Sequence, residues 1–172
     1  MSKILTRKPR NRLEGYDYSQ SNYYYVTICT NNRKEWLGEI KDNHMLLNGY
    51  GQIVEQQWQW LAEQYSYIEL DEYIVMPNHI HGILIIIRPC ITDRSRPVPT
   101  VPTHNIKSLS SLIGAFKTTS SKLIHQNGLS DFAWQRSFYD YIIRNDKSLN
   151  KIREYIINNP INWANDEENI NV

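Results

Sequence analysis

His79 and His81 flank Ile80 at the head of an apolar run that ends at Ile87. Strand side chains alternate between faces, so residues i and i+2 project together. On a strand the two imidazoles share one side, close enough to chelate a divalent cation, and Ile80 turns the other way. Ile83, Ile85 and Ile87 continue the histidine side, and Gly82, Leu84 and Ile86 the opposite one. Both faces are mostly apolar, which predicts a central strand. Two imidazoles there are costly unless each has a partner. A metal would supply one; separate hydrogen bonds to each ring are the alternative. Position 83 is Ile, which removes the third histidine of a histidine-triad hydrolase. No CxxC follows, as a deaminase-type zinc site would need.

A second group lies towards the C-terminus. Asp146 to Asn159 (DKSLNKIREYIINN) predicts a helix with Leu149, Ile152 and Ile156 as its core stripe. At about 100° per residue, Tyr155 falls on the shoulder of that stripe, with Asn159 one turn after it and Lys151 one turn before. A phenol, a carboxamide and an ammonium on one band suit phosphoryl transfer. A tyrosine hydroxyl is a weak nucleophile at its usual pKa near 10 and needs a metal or base. A divalent ion on the scissile phosphate would stabilise the developing charge. Asn159 would lend its side-chain oxygen to that ion, and Lys151 would meet a phosphate oxygen. The chain has twelve tyrosines, so packing is the competing role for Tyr155. Asn159-Pro160 reads equally as a helix stop.

The elements that must position these groups are legible from periodicity and turn chemistry. Tyr23 to Thr30 (YYYVTICT) is aromatic and β-branched and predicts a strand. Another short strand is expected within Glu39 to Leu47. Asn48 caps a helix from Gly49 to Tyr65 whose apolar positions are Ile53, Trp58, Leu61 and Ala62. Ile68 to Met76 and His79 to Ile87 predict strands joined as a hairpin by Pro77-Asn78. Arg88 to His104, with Pro89, Pro97, Pro99 and Pro102, predicts a mobile surface loop. Ser108 to Gln126 predicts a helix, and Ala133 to Arg144 a strand or extended segment. The order points to an α+β fold, an antiparallel sheet backed by helices on a ferredoxin-like core.

The 172 residues fit one domain with a sizeable core. No run reaches the roughly 18 apolar residues of a membrane span. The start of the chain lacks the apolar core of a signal peptide. Cys29 and Cys90 are too few for a disulfide framework, so a reducing, cytoplasmic setting is expected. The net charge is only +1, but Lys3, Arg7, Lys8, Arg10 and Arg12 all precede the first acid, Glu14. This basic arm, residues 1–14, is either a solvated terminus or a phosphate-contacting arm. Asp166, Glu167 and Glu168 cluster in an acidic tail over 164–172.

Three segments, in this order, carry a family resemblance. Tyr73 to Gly82 (YIVMPNHIHG) resembles the HUH strand of single-tyrosine, IS200-like transposases, in which U is a bulky hydrophobic residue. Trp134 to Arg144 (WQRSFYDYIIR) and Tyr155 to Pro160 (YIINNP) resemble two segments of the REP-associated tyrosine transposase branch. The likeness covers roughly residues 15–163. It implies a ferredoxin-like HUH endonuclease core with a C-terminal catalytic helix. It also implies that His79 and His81 bind Mg²⁺ or Mn²⁺ and that Tyr155 is the nucleophile. The tyrosine would attack single-stranded DNA beside a hairpin, leaving a 5′-phosphotyrosine link and a free 3′-OH, and strand transfer would reverse the step. Mobile-element relatives carry glutamine as third ligand; the REP-associated branch has asparagine, which maps to Asn159. Arg10, Arg12, Lys117, Trp134, Arg136 and Lys151 are the candidates for DNA contact, with packing of the sheet as the other role for the aromatics. Monomer and homodimer stay open. The alternative function is a domesticated protein that grips hairpin DNA without cutting it.

Overall fold

The computed structural model describes residues 15–88 and 106–169. The basic arm with Arg10 and Arg12, and nearly all of the proline-rich loop, lie outside the described residues. The first strand, β1 (Asn22–Cys29), follows a tyrosine-rich lead-in in which Tyr16 and Tyr18 pack against the core. After it comes a small hairpin, β2 (Gly38–Lys41) and β3 (His44–Leu47), where the sequence predicts a single strand. The reversal is made by Asp42 and Asn43 at φ 51° and 62°. Both residue types tolerate this left-handed region, and a two-residue turn there matches strand twist. Helix α1 (Gly49–Gln64) starts at Asn48, whose side chain accepts from the Tyr50 and Gly51 amides as an N-cap.

Strands β4 (Ile68–Met76) and β5 (His79–Ile86) form the expected hairpin. Helix α2 (Leu109–Gln126) begins after Ser108, which accepts from the Ser111 amide. Strand β6 (Tyr139–Ile143) is shorter than expected, because residues 133–135 add only an isolated Thr30–Trp134 bridge beyond the end of β1 and are not part of the β6 ladder. Helix α3 (Asp146–Ile157) is capped by Asn145 and ends two residues earlier than predicted. Pro160 does not stop the chain's helical path. It sits in the first turn of a short helix, α4 (Asn159–Asn162), where its missing N–H costs nothing.

The four long strands form one antiparallel sheet in the order β4-β5-β1-β6. With α1 and α2 as crossovers this is the βαββαβ, ferredoxin-like arrangement, and β5 is central as expected. One face carries the main core, with Tyr24, Val26, Ile28, Ile80, Leu84 and Ile86 against α1 and α2. Trp58 meets Phe116 edge-to-face at 5.4 Å between ring centroids. Gly82 gives Trp58 its place: a Cβ there would lie 2.5 Å from the indole Cζ2. The other face holds a smaller cluster, Tyr25, Ile83 and Ile143 against Leu149, Ile152 and Ile156 of α3. Asp71, at the bulge in β4, takes two hydrogen bonds from Arg153 and pins α3 across this face.

Candidate metal centre and nucleophile

The alternation of β5 places His79 and His81 on the α3 face, opposite Cys29 and Thr27 of β1. Both are buried, at 0% and 2% exposure, so each needs its polar atoms satisfied. The Nε2 atoms of the two rings face each other at 2.9 Å. His79 Nδ1 lies 2.8 Å from Asn78 Oδ1. His81 Nδ1 lies 2.9 Å from both the Tyr25 and Thr27 hydroxyls. Burial pushes the His81 pKa down to about 4, against a smaller upward pull from Asp166. The ring is therefore neutral near pH 7, the state in which an imidazole binds a cation.

Tyr155 stands over this pair from the same chain. Its ring centroid is 5.3 Å from that of His81 and 6.5 Å from that of Tyr25. The phenol donates a long hydrogen bond, 3.4 Å, to Asp166 Oδ2. Burial first, and then the Asp166 carboxylate, push the phenol pKa well above its usual value, while Asn159 pulls the other way. Asn159 is buried at the head of α4 and donates from Nδ2 to the same Asp166 oxygen at 2.9 Å. Its Oδ1 is buried with no hydrogen-bond partner among the described residues.

Asp166 is the residue that the sequence reading missed. The structure folds the 163–169 segment back over the histidines instead of leaving it as a tail. Trp163 lies against His79 with 5.9 Å between ring centroids. Arg33 holds Glu168 Oε2 at 3.0 Å and the Glu167 carbonyl at 2.7 Å, and Cys29 Sγ contacts the same Glu168 oxygen. Asp166 Oδ1 accepts from the Glu168 amide at 2.7 Å. Ligand atoms of His79, His81 and Asp166 all lie within 4.8 Å of one another. An acidic cluster after a helix stop resembles a solvated tail, and the large aromatic Trp163 just before it was the one sequence signal that spoke for packing.

The donor set fits a divalent cation. It offers two imidazoles and a carboxylate, and the orphaned Asn159 oxygen is a fourth donor, the second of oxygen type. Two imidazole nitrogens facing at 2.9 Å also need something positive between them, a proton or a metal.

The remaining predicted residues separate. Trp134 is buried between Phe116 and Phe132 and donates its indole N–H to Ser120 at 3.0 Å, so its ring is committed to the core. Lys117 donates to the Gln135 and Ser137 carbonyls at 2.9 and 3.1 Å and so braces the segment before β6. Arg136 and Lys151 are exposed. Among the described residues no helix is long and apolar enough to cross a membrane.

No family model matches the chain. An uncharacterized protein of Haemophilus influenzae is 34% identical over 161 residues, covering 91% of this chain and 89% of its own. Among solved structures, a REP-associated tyrosine transposase bound to a REP hairpin aligns with 90% of this chain and 74% of its own, at 19% identity and a TM-score of 0.60. A Deinococcus radiodurans structure aligns with 87% of this chain and 97% of its own, at 18% identity and a TM-score of 0.49. The chain thus belongs to one family with the Haemophilus influenzae protein, and its fold is that of the REP-associated tyrosine transposase.

Proposed function

We propose that this protein is a metal-dependent transposase-type nuclease that cuts single-stranded DNA at hairpin-forming repeats and rejoins it through Tyr155. The observation that carries the reading is the convergence of a buried histidine pair, a carboxylate and a tyrosine at one point of the sheet. The REP hairpin in the solved relative supports DNA of that shape as partner. His79, His81 and Asp166, with Asn159 beside them, would hold Mg²⁺ or Mn²⁺. When bound, such an ion polarises a phosphodiester and favours an ionised phenol.

The chain's own residues supply the rest. Tyr155 oxygen forms a bond to phosphorus as the bond to the 3′-oxygen breaks, leaving a 5′-phosphotyrosine and a 3′-oxygen that takes a proton from water to become the 3′-OH. Asp166 Oδ2 is the acceptor already placed for the phenolic proton. Burial and the Asp166 carboxylate keep the phenol protonated in the resting site. Tyr25 and Thr27 orient His81, and the Asp71–Arg153 pair orients the helix that bears Tyr155. Tyr155 and the histidines lie together within one chain, which supports a cut made in cis. Arg136, Lys151 and the arm with Arg10 and Arg12 are left to meet phosphates.

The test uses end-labelled hairpin DNA from the flank of the protein's own gene, with Mn²⁺ or Mg²⁺, run on a denaturing gel. The expected result is an SDS-stable labelled adduct that EDTA and Tyr155→Phe both remove. Cleavage without an adduct would assign water as nucleophile. A native shift without cleavage would make the protein a hairpin binder that no longer cuts.

A further inference from the structure

Asn78, in the turn between β4 and β5, is wholly buried, and both its Nδ2 hydrogens and its Oδ1 have hydrogen-bond partners. Nδ2 donates to the Arg33 carbonyl at 3.1 Å and to the Glu168 carbonyl at 2.8 Å. Carbonyls only accept, so these two bonds settle which end of the amide is nitrogen. Oδ1 must then be the atom 2.8 Å from His79 Nδ1, and it too can only accept. His79 therefore carries a proton on Nδ1, and in its neutral form the lone pair is on Nε2, the atom that faces His81.

The other end of the same amide holds the segment that bears Asp166. Glu168, whose carbonyl Asn78 grips, donates its own amide to Asp166 Oδ1 at 2.7 Å. One side chain thus touches the histidine strand and the returning C-terminal segment together. His81 is supported differently. Its Nδ1 faces two hydroxyls, which donate or accept as required, so that ring's tautomer is left adjustable.

We propose that Asn78 is a positioning residue that joins the two sources of metal ligands: it sets the tautomer of His79 and docks the segment that brings Asp166 over the histidine pair. The proposal rests on the metal site under Proposed function for its purpose, but its geometry stands without a metal. A partner hydrogen-bonded to the distal nitrogen of a ligating histidine is worth roughly 10–100-fold in metal affinity.

Two measurements test it on the full chain. Long-range ¹H–¹⁵N spectra of the metal-free protein read the His79 tautomer, and Mn²⁺ titration followed by EPR reads ion affinity. The wild type is expected to show His79 as the Nδ1–H form alone. Asn78→Ala is expected to admit the Nε2–H form and to weaken Mn²⁺ about 10–100-fold. Asn78→Asp keeps an acceptor for His79 and loses both donors. It should retain the Nδ1–H form while the Glu168 and Asn169 amides exchange faster. A folded Asn78→Ala protein with wild-type tautomer and Mn²⁺ affinity overturns the proposal, as does a folded Asn78→Asp protein with unchanged exchange. If the alanine variant does not fold, the aspartate variant decides alone. If the wild type takes up no Mn²⁺, the metal reading fails, and the spectra and exchange rates still judge the hold of Asn78 on His79 and on the segment.

Discussion

At the scale of single residues, the site works by burying groups that water would otherwise satisfy. His79 and His81 lie where a strand supplies no polar backbone to spare, so their partners are side chains. His79→Ala and His81→Ala are expected to abolish cleavage while leaving hairpin binding largely intact, since neither lies on an exposed surface; a gel shift beside a cleavage gel checks both. Asp166 is expected to matter twice. Asp166→Asn should weaken Mn²⁺ binding, because a neutral amide replaces a charged ligand. It should also bring the Tyr155 phenol down towards its usual pKa. The return is partial, because burial is the larger cause of the shift and persists. Tyrosine ¹³Cζ shifts against pH, assigned with Tyr155→Phe, would show the change.

At the scale of elements, the site depends on how tightly two helical layers hold the sheet between them. Gly82, on the histidines' own strand, packs directly against Trp58, with no room for a methyl group. Gly82→Ala is expected to cost about 1–3 kcal/mol by overpacking, read as a lowered Tm. On the opposite face α3 is secured by the Asp71–Arg153 pair. The arginine bonds hold the Asp71 carboxyl below its ordinary pKa, against a smaller opposing effect of burial. A depressed carboxylate pKa stabilises the fold above the unfolded value, and that stability is lost as pH falls through the folded value. Asp71→Asn should thus destabilise the protein near neutral pH, and the gap from wild type should close as the medium is acidified below the ordinary carboxylate range. Denaturant melts at several pH values measure this directly. The predicted hairpin and helices were readable here because their periodicity and their end signals, such as the Asn48 cap, are local. The β2–β3 turn was missed because Asp42-Asn43 lacks the glycine that usually marks such a turn.

At the scale of the whole molecule, charge is close to balanced, so any affinity for DNA must come from its distribution. The five cations within residues 1–12 are the densest basic run in the chain. Removing residues 1–12 is expected to weaken hairpin binding and flatten its dependence on salt, because fewer counterions are released. Affinities measured from low to moderate salt check this, and an unchanged slope would remove the arm from the interface.

The sequence by itself determined the alternation that puts His79 and His81 on one face of a central strand, the helix stripe that leaves Tyr155 at its shoulder, and the βαββαβ order of elements. These follow from periods of 2 and 3.6 residues, which a linear chain displays directly. Tertiary structure alone decided that Trp134 and Lys117 brace the fold, that Asn78 spans strand and tail, and that Asp166 closes the histidine site. Each of these depends on which distant segment a side chain meets. Asp166 is 85 residues from His81 in the numbering, and only the docking of Glu168 against Arg33 and Asn78 brings its carboxylate to the imidazoles.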